Sequence, residues 1–147
     1  MIIYEDTRQQ HCYSEYDIFK PYDMQRICLK TADYTTNAPD AILIEVKAAV
    51  DIIDCFGVSK ARFNAEVTRG FNVLLLECTK DDIAIALAKR KKRYPKTKMT
   101  PQYIFACLKK LHTTYGISVL FAGSKEDAAK ILHDLLVTDY KLKMINA

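Results

Sequence analysis

Glycine and proline are scarce in this chain, four of each among 147 residues, while half of all residues are apolar. That balance excludes a disordered or low-complexity polypeptide and is enough to bury a sizeable core in one domain, 1–147. No apolar run approaches the length of a membrane span, so no membrane partner is expected. The start, Met-Ile-Ile-Tyr-Glu-Asp, reads as a strand rather than as a signal peptide. The five cysteines (Cys12, Cys28, Cys55, Cys78, Cys107) are odd in number and contain no Cys-x-x-Cys pair. The three histidines (His11, His112, His133) show no metal-site spacing. A disulfide framework and structural zinc are therefore disfavoured, a reducing intracellular setting is expected, and most cysteines are expected to be small core hydrophobes.

What the chain does have is an uneven charge distribution. The net charge is +4, yet residues 1–88 carry 9 basic and 14 acidic side chains. Residues 89–98, Lys-Arg-Lys-Lys-Arg-Tyr-Pro-Lys-Thr-Lys, carry seven basic groups and no acid. Such a run is either a solvated surface loop or a patch that meets a polyanion, while the acids upstream collect a cation.

Strand and helix signals alternate. Ile2–Glu5, Met24–Leu29, Tyr34–Thr36, Ile42–Lys47, Val73–Cys78 and Ile117–Ala122 read as strands, with residues 11–23 ambiguous and a turn at Asn37–Asp40. Ala48–Phe56 and Ser59–Arg69 read as helices stopped by Gly57 and Gly70. Thr79 with Asp82, Thr100 before Pro101, and Ser124 mark three further helix starts, the last helix running to about Val137. This order predicts an α/β sandwich with a mixed central sheet.

In Ile42–Asp51, Ile-Leu-Ile-Glu-Val-Lys-Ala-Ala-Val-Asp, strand alternation puts Glu45 and Lys47 on one face and Ile42, Ile44 and Val46 on the other. Alone, a Glu-x-Lys triplet is also what a solvated ion pair looks like. Asp6, Asp33, Glu45 and Glu77 all sit at strand ends or breaks, where acids converging on one point would repel and raise one another's pKa unless a cation neutralises them. All-oxygen ligation of that kind favours Mg²⁺ or Mn²⁺.

The order Asp6-Thr7-Arg8, then Ala32-Asp33-Tyr34, then Glu45-Val46-Lys47-x-x-x-Asp51 resembles the nuclease domain of XPF-type structure-specific endonucleases, of the PD-(D/E)XK superfamily. The resemblance extends through Arg62 and Val73–Glu77, covers most of residues 2–80, and leaves no helix-hairpin-helix or helicase module. It implies a restriction-endonuclease-like three-layer sandwich and a divalent-metal-dependent DNA endonuclease acting on branched or flapped duplex. The family implies Asp33 and Glu45 as metal ligands helped by the Val46 carbonyl, and Asp6 as a contributor to the metal site. Lys47 would orient the attacking water, and Asp51 would hold the geometry. Arg8 and Arg62 would bind phosphate or brace the carboxylates. DNA is the implied partner, and the charge of the basic run adds Lys89, Arg90, Lys91, Lys92 and Arg93 as expected further contacts. A homodimer is a further expectation, and the apolar helix carrying Ala128, Ala129, Ile131, Leu132, Leu135 and Leu136 is either its surface or ordinary core. Location is expected to be the cytoplasm, or the host cytoplasm for a phage-encoded chain.

Three positions depart from the family pattern. Ala32 replaces a glycine, Gln9 a glutamate and Val46 an arginine. Gln9 and Val46 keep open a second reading, a nuclease-like domain that binds DNA or a protein without cleaving.

Overall fold

In the computed structural model, which describes residues 1–10 and 12–147, six strands form one mixed sheet. The strands are β1 (Ile2–Asp6), β2 (Asp23–Ile27), β3 (Tyr34–Thr36), β4 (Ile44–Lys47), β5 (Val73–Leu76) and β6 (Ser118–Phe121), in the spatial order β2-β1-β3-β4-β5-β6. The helices are α1 (Ala49–Cys55), α2 (Lys60–Arg69), α3 (Lys80–Arg93), α4 (Pro101–Tyr115) and α5 (Lys125–Ile145). Within 11–23, Tyr13–Glu15 and Asp17–Phe19 are short 3₁₀ turns, and His11 lies outside the described residues. Among the described residues no helix is long and apolar enough to cross a membrane.

The sheet divides the core in two, as a period-2 structure must. Leu74 and Leu76 of β5 face one way, into a core with Ile52, Ile53, Phe63, Val67, Ile83 and Ile104 from α1–α4. Val73 and Leu75 face the other way and pack with Ile3, Ile44 and Val46 under Ala128, Ala129, Leu132 and Leu136 of α5. All four β5 residues are buried, as the unbroken apolar run predicts. The apolar stripe of α5 is therefore spent on the core rather than offered to a second copy.

Local signals set most helix ends. Thr79 accepts from the Asp82 N–H (3.0 Å) while the Asp82 carboxylate accepts from the Thr79 N–H (2.8 Å), a complete reciprocal cap. Thr100 and Ser124 accept from Tyr103 N–H and Asp127 N–H. Gly116 ends α4 at φ 69°, a conformation open to glycine at little cost. Ser59 stands at the start of α2, but its hydroxyl makes no capping bond.

Several expectations are corrected. α5 continues to Ile145, eight residues past Val137, because Leu142 and its neighbours keep helical spacing without a glycine or proline to stop them. The basic run is not simply a loop: Lys89–Arg93 forms the last turns of α3, where cations offset the partial negative charge of the helix end. All five cysteines are free, yet only Cys55 and Cys78 are buried and Cys28 is exposed. Strand β2 is shorter than expected and lies exposed at the sheet edge, parallel to β1.

Candidate active site

Topology gathers the charged strand ends. β3 runs antiparallel to both β1 and β4. The C-terminal ends of β1 and β4 therefore meet the N-terminal end of β3 at one edge, which brings Asp6, Asp33 and Lys47 together. Backbone bonds tie that corner: Asp6 N–H donates to Asp33 O (2.8 Å) and Asp33 N–H to Ile44 O (2.9 Å). The turn entering β3 passes through Ala32 at φ 66°, so the left-handed bend is present although a Cβ replaces the glycine that would take it freely.

The result is a polar cleft of about 450 Å³ lined by Asp6, Arg8, Asp33, Glu45, Lys47, Asp51, Arg62, Glu66 and Arg69, among others. Gln9 and the backbone of Val46 also reach it. The Val46 side chain points into the opposite core, as strand alternation predicts, while its N–H donates to Asp33 Oδ2 (2.8 Å). A larger residue at position 46 would therefore project away from Glu45 and Lys47.

At the cleft floor Glu45 is almost wholly buried, and its carboxyl lies within hydrogen-bonding reach of Asp33. Burial, then the Asp33 carboxylate beside it, pushes the Glu45 pKa up to about 9, against the opposing pull of Lys47. Burial also raises Asp33, even though the Val46 N–H stabilises its anion. The pair therefore holds a proton at neutral pH. Burial disfavours the Lys47 ammonium, but Glu45, with Cys55, Glu66 and Asp33, outweighs it and holds the lysine charged. Lys47 Nζ stands 3.3 Å from Glu45 Oε1 and 3.8 Å from Glu66 Oε2.

Asp6 behaves differently. Burial alone would raise its carboxyl, yet the Arg8 guanidinium and the Leu29 N–H hold it below the usual carboxylate range. Arg8 Nε donates to Asp6 Oδ2 (2.8 Å) and Leu29 N–H to Asp6 Oδ1 (2.9 Å). Asp51 is exposed at the third position of α1, where its carboxylate accepts from the Ala48 N–H (3.3 Å). Alanine offers no acceptor in return, so only half of a capping box forms.

The remaining predicted residues lie apart. Lys89, Arg90 and Arg93 line a second, more apolar groove with Val50, Asp54 and Val58, and Arg90 is paired with Asp54 (2.8 Å). Glu77 follows β5 on the face opposite Glu45 and comes near Tyr13, so it does not join the cluster. Tyr34 is a packing residue: it is buried and its hydroxyl donates to Glu5 Oε2 (2.6 Å). His112 and His133 pair with Ile117 O and with Tyr22 and Asp134.

Two cleft residues escape a reading of strand ends alone, Glu66 and Arg69. With Arg62 they recur at positions i, i+4 and i+7 of the 60–69 helix, the spacing of a single helical face, and that period is the signal that finds them. Among the described residues no group of three or more histidine, cysteine, aspartate and glutamate side chains forms a metal cage. The available donors are the two carboxyls of Asp33 and Glu45. Mg²⁺ is commonly held by one or two carboxylates and several waters, so this donor set fits it.

No protein-family description matches the chain, and no curated protein does. Solved structures do. XPF from Aeropyrum pernix superposes with a TM-score of 0.68 at 15% identity over 94% of this chain and 61% of that one. The XPF from Aeropyrum pernix in complex with DNA superposes equally well, TM-score 0.68, at 16% identity over 96% of this chain and 66% of the other. The chain thus spans about three fifths to two thirds of the length of those proteins. The chain shares the fold of these XPF structures, a restriction-endonuclease-like three-layer sandwich.

Proposed function

We propose that the cleft is the active site of a divalent-metal-dependent DNA endonuclease that hydrolyses phosphodiester bonds in branched or flapped duplex. The observation that carries this reading is the buried Asp33–Glu45 carboxyl pair beside a charged Lys47. Two carboxyls that must share a proton when alone will exchange it for a cation. Asp33 and Glu45 would hold Mg²⁺ or Mn²⁺, which when bound supplies a Lewis acid and lowers the pKa of water. Lys47 then lies where an ammonium orients the attacking water and offsets charge building on phosphorus. Arg62 and Arg69 on the exposed wall of α2 meet the phosphates on either side. Asp6 acts indirectly, as the anchor that fixes Arg8 at the cleft mouth, and Asp51 keeps the start of α1 in register with β4.

DNA as partner is supported by the charge of the cleft rim and by the α3 end, and by the DNA-bound state of one structural neighbour. A homodimer belongs to the same reading and would use a surface other than the buried face of α5. One observation favours a second reading, a domain that binds without cleaving: Asp6 is already neutralised by Arg8, which leaves two free carboxyls rather than three.

Plasmid and flap substrates with Mg²⁺ or Mn²⁺ separate the two. Wild type is expected to cleave, and Glu45→Ala and Lys47→Ala to lose at least a hundredfold in rate, in line with removal of a group that acts in the transition state. Cleavage surviving Glu45→Ala refutes the assigned site. Absence of cleavage on every DNA form favours the binding module.

A further inference from the structure

Glu66 is the cleft residue with the least explained position. Its Oε2 is buried and makes no hydrogen bond, although it stands 3.8 Å from the Lys47 ammonium. That distance is an ion pair with bonding capacity in reserve. The turn of α2 that carries Glu66 is anchored on either side by Phe63 and Val67, both buried in the core. The Phe63 ring also lies 6.0 Å from the Lys47 ammonium. Glu66 is thus a fixed carboxylate behind a lysine whose other carboxyl contact, Glu45 at 3.3 Å, belongs to the proton-sharing pair.

We propose that Glu66 is a positioning residue for Lys47, holding the ammonium in the cleft once Glu45 is committed to a cation. The inference rests on the function proposed above. A dication at Asp33 and Glu45 repels the ammonium and withdraws the Glu45 charge that attracts it. Lys47 has a flexible four-carbon stem and would swing toward solvent unless a second anion restrains it. Glu66 is the remaining carboxylate within reach, and its free oxygen can accept from the ammonium once Glu45 releases it. An aspartate or glutamine on the same turn would do this less well, one for lack of length and the other for lack of charge.

The first test needs no catalysis. Lysine ¹³Cε resonances are followed by NMR during Mg²⁺ titration, with the Lys47 signal assigned through Lys47→Arg. In wild type the signal stays at an ordered, shifted position through saturation; in Glu66→Gln it moves to the position of solvent-exposed lysines. The same response in both proteins overturns the proposal. Kinetics supply the second test. Glu66→Gln is expected to lower kcat about 10–100-fold, the usual cost of losing an orienting partner, with KM for DNA and the calorimetric Mg²⁺ affinity each within about threefold. Glu66→Asp, which keeps the charge, should exceed Glu66→Gln in kcat. A Mg²⁺ affinity that falls more than tenfold makes Glu66 a metal ligand and overturns the positioning role, as does an unchanged kcat. A wild-type protein that cuts no DNA refutes the nuclease reading alone, because the Lys47 resonance still reports on Glu66.

Discussion

Replacing Glu45 with glutamine should stabilise the metal-free protein, and increasingly so as pH rises above about 5. Glutamine keeps the size of the side chain and its hydrogen bond toward Asp33 but cannot ionise. The Glu45 carboxyl titrates near 4.5 when exposed and at about 9 in the folded protein. Its folded-state pKa is raised, so the folded state binds the proton more tightly than the unfolded one. The stability this contributes is complete below pH 4.5 and is lost as pH rises toward about 9. Between pH 5 and pH 8 the ceiling on that loss is about 4 kcal/mol, at roughly 1.4 kcal/mol per unit. Glu45 is only 8% exposed, so solvent screening removes little of it. Water entry and relaxation around the charge offset more, and about 2 kcal/mol is the working expectation. For a chain of this size that is roughly 4–8 °C in Tm. Thermal unfolding in EDTA from pH 5 to pH 9 should show Glu45→Gln near wild type at pH 5 and about 4–8 °C above it at pH 8. Mg²⁺ or Mn²⁺ should close that gap by stabilising wild type far more than the variant. A difference that does not vary with pH, or a variant less stable at pH 8, would refute the shared-proton description of the pair.

Two further outcomes test other parts of the fold. Ala32→Gly relieves a left-handed residue at φ 66°; the relief, about 1–2 kcal/mol, exceeds the backbone entropy that glycine costs, about 0.5–1 kcal/mol, so urea unfolding should show a net gain of about 0.5–1 kcal/mol, and a loss would mean the bend does not carry that strain. Changing Lys89, Lys91, Lys92 and Arg93 together to glutamine should weaken DNA binding and flatten the dependence of log K on log salt, by up to about 0.9 for each phosphate that is no longer neutralised. An unchanged slope in a fluorescence-anisotropy titration would make the end of α3 merely a solvated surface.

Residues that act on their neighbours were the most legible. Thr79 and Asp82, three apart, had only each other's backbone to bond, and the reciprocal cap formed. The alternation through Ile44, Glu45, Val46 and Lys47 placed the charged pair on one face because a strand has no other period. Arg8 is expected from the sequence either to bind phosphate or to brace the carboxylates, and the fold selects Asp6 for it to brace, with the Leu29 N–H as a second donor from the β2–β3 connection. Glu77 resembled Asp6 as an acid after an apolar strand and was misplaced because β5 presents its odd-numbered residues to the other core. Glu66 went unnoticed because its signal is a helical face, and that face matters only when α2 lies against the end of β4.

Strand and helix order, most caps, and the shared face of Glu45 and Lys47 follow from local sequence, because backbone periodicity and capping act within a few residues. Local sequence also placed the acids at strand ends. Only the tertiary structure decided which ends meet. The antiparallel placement of β3 between β1 and β4 brings Asp33 to Glu45, and the register of β5 on β4 turns Glu77 to the opposite face. Burial at the cleft floor then turns that pair from two ordinary carboxylates into one that shares a proton, because the low dielectric and the like charge exist only once distant segments pack.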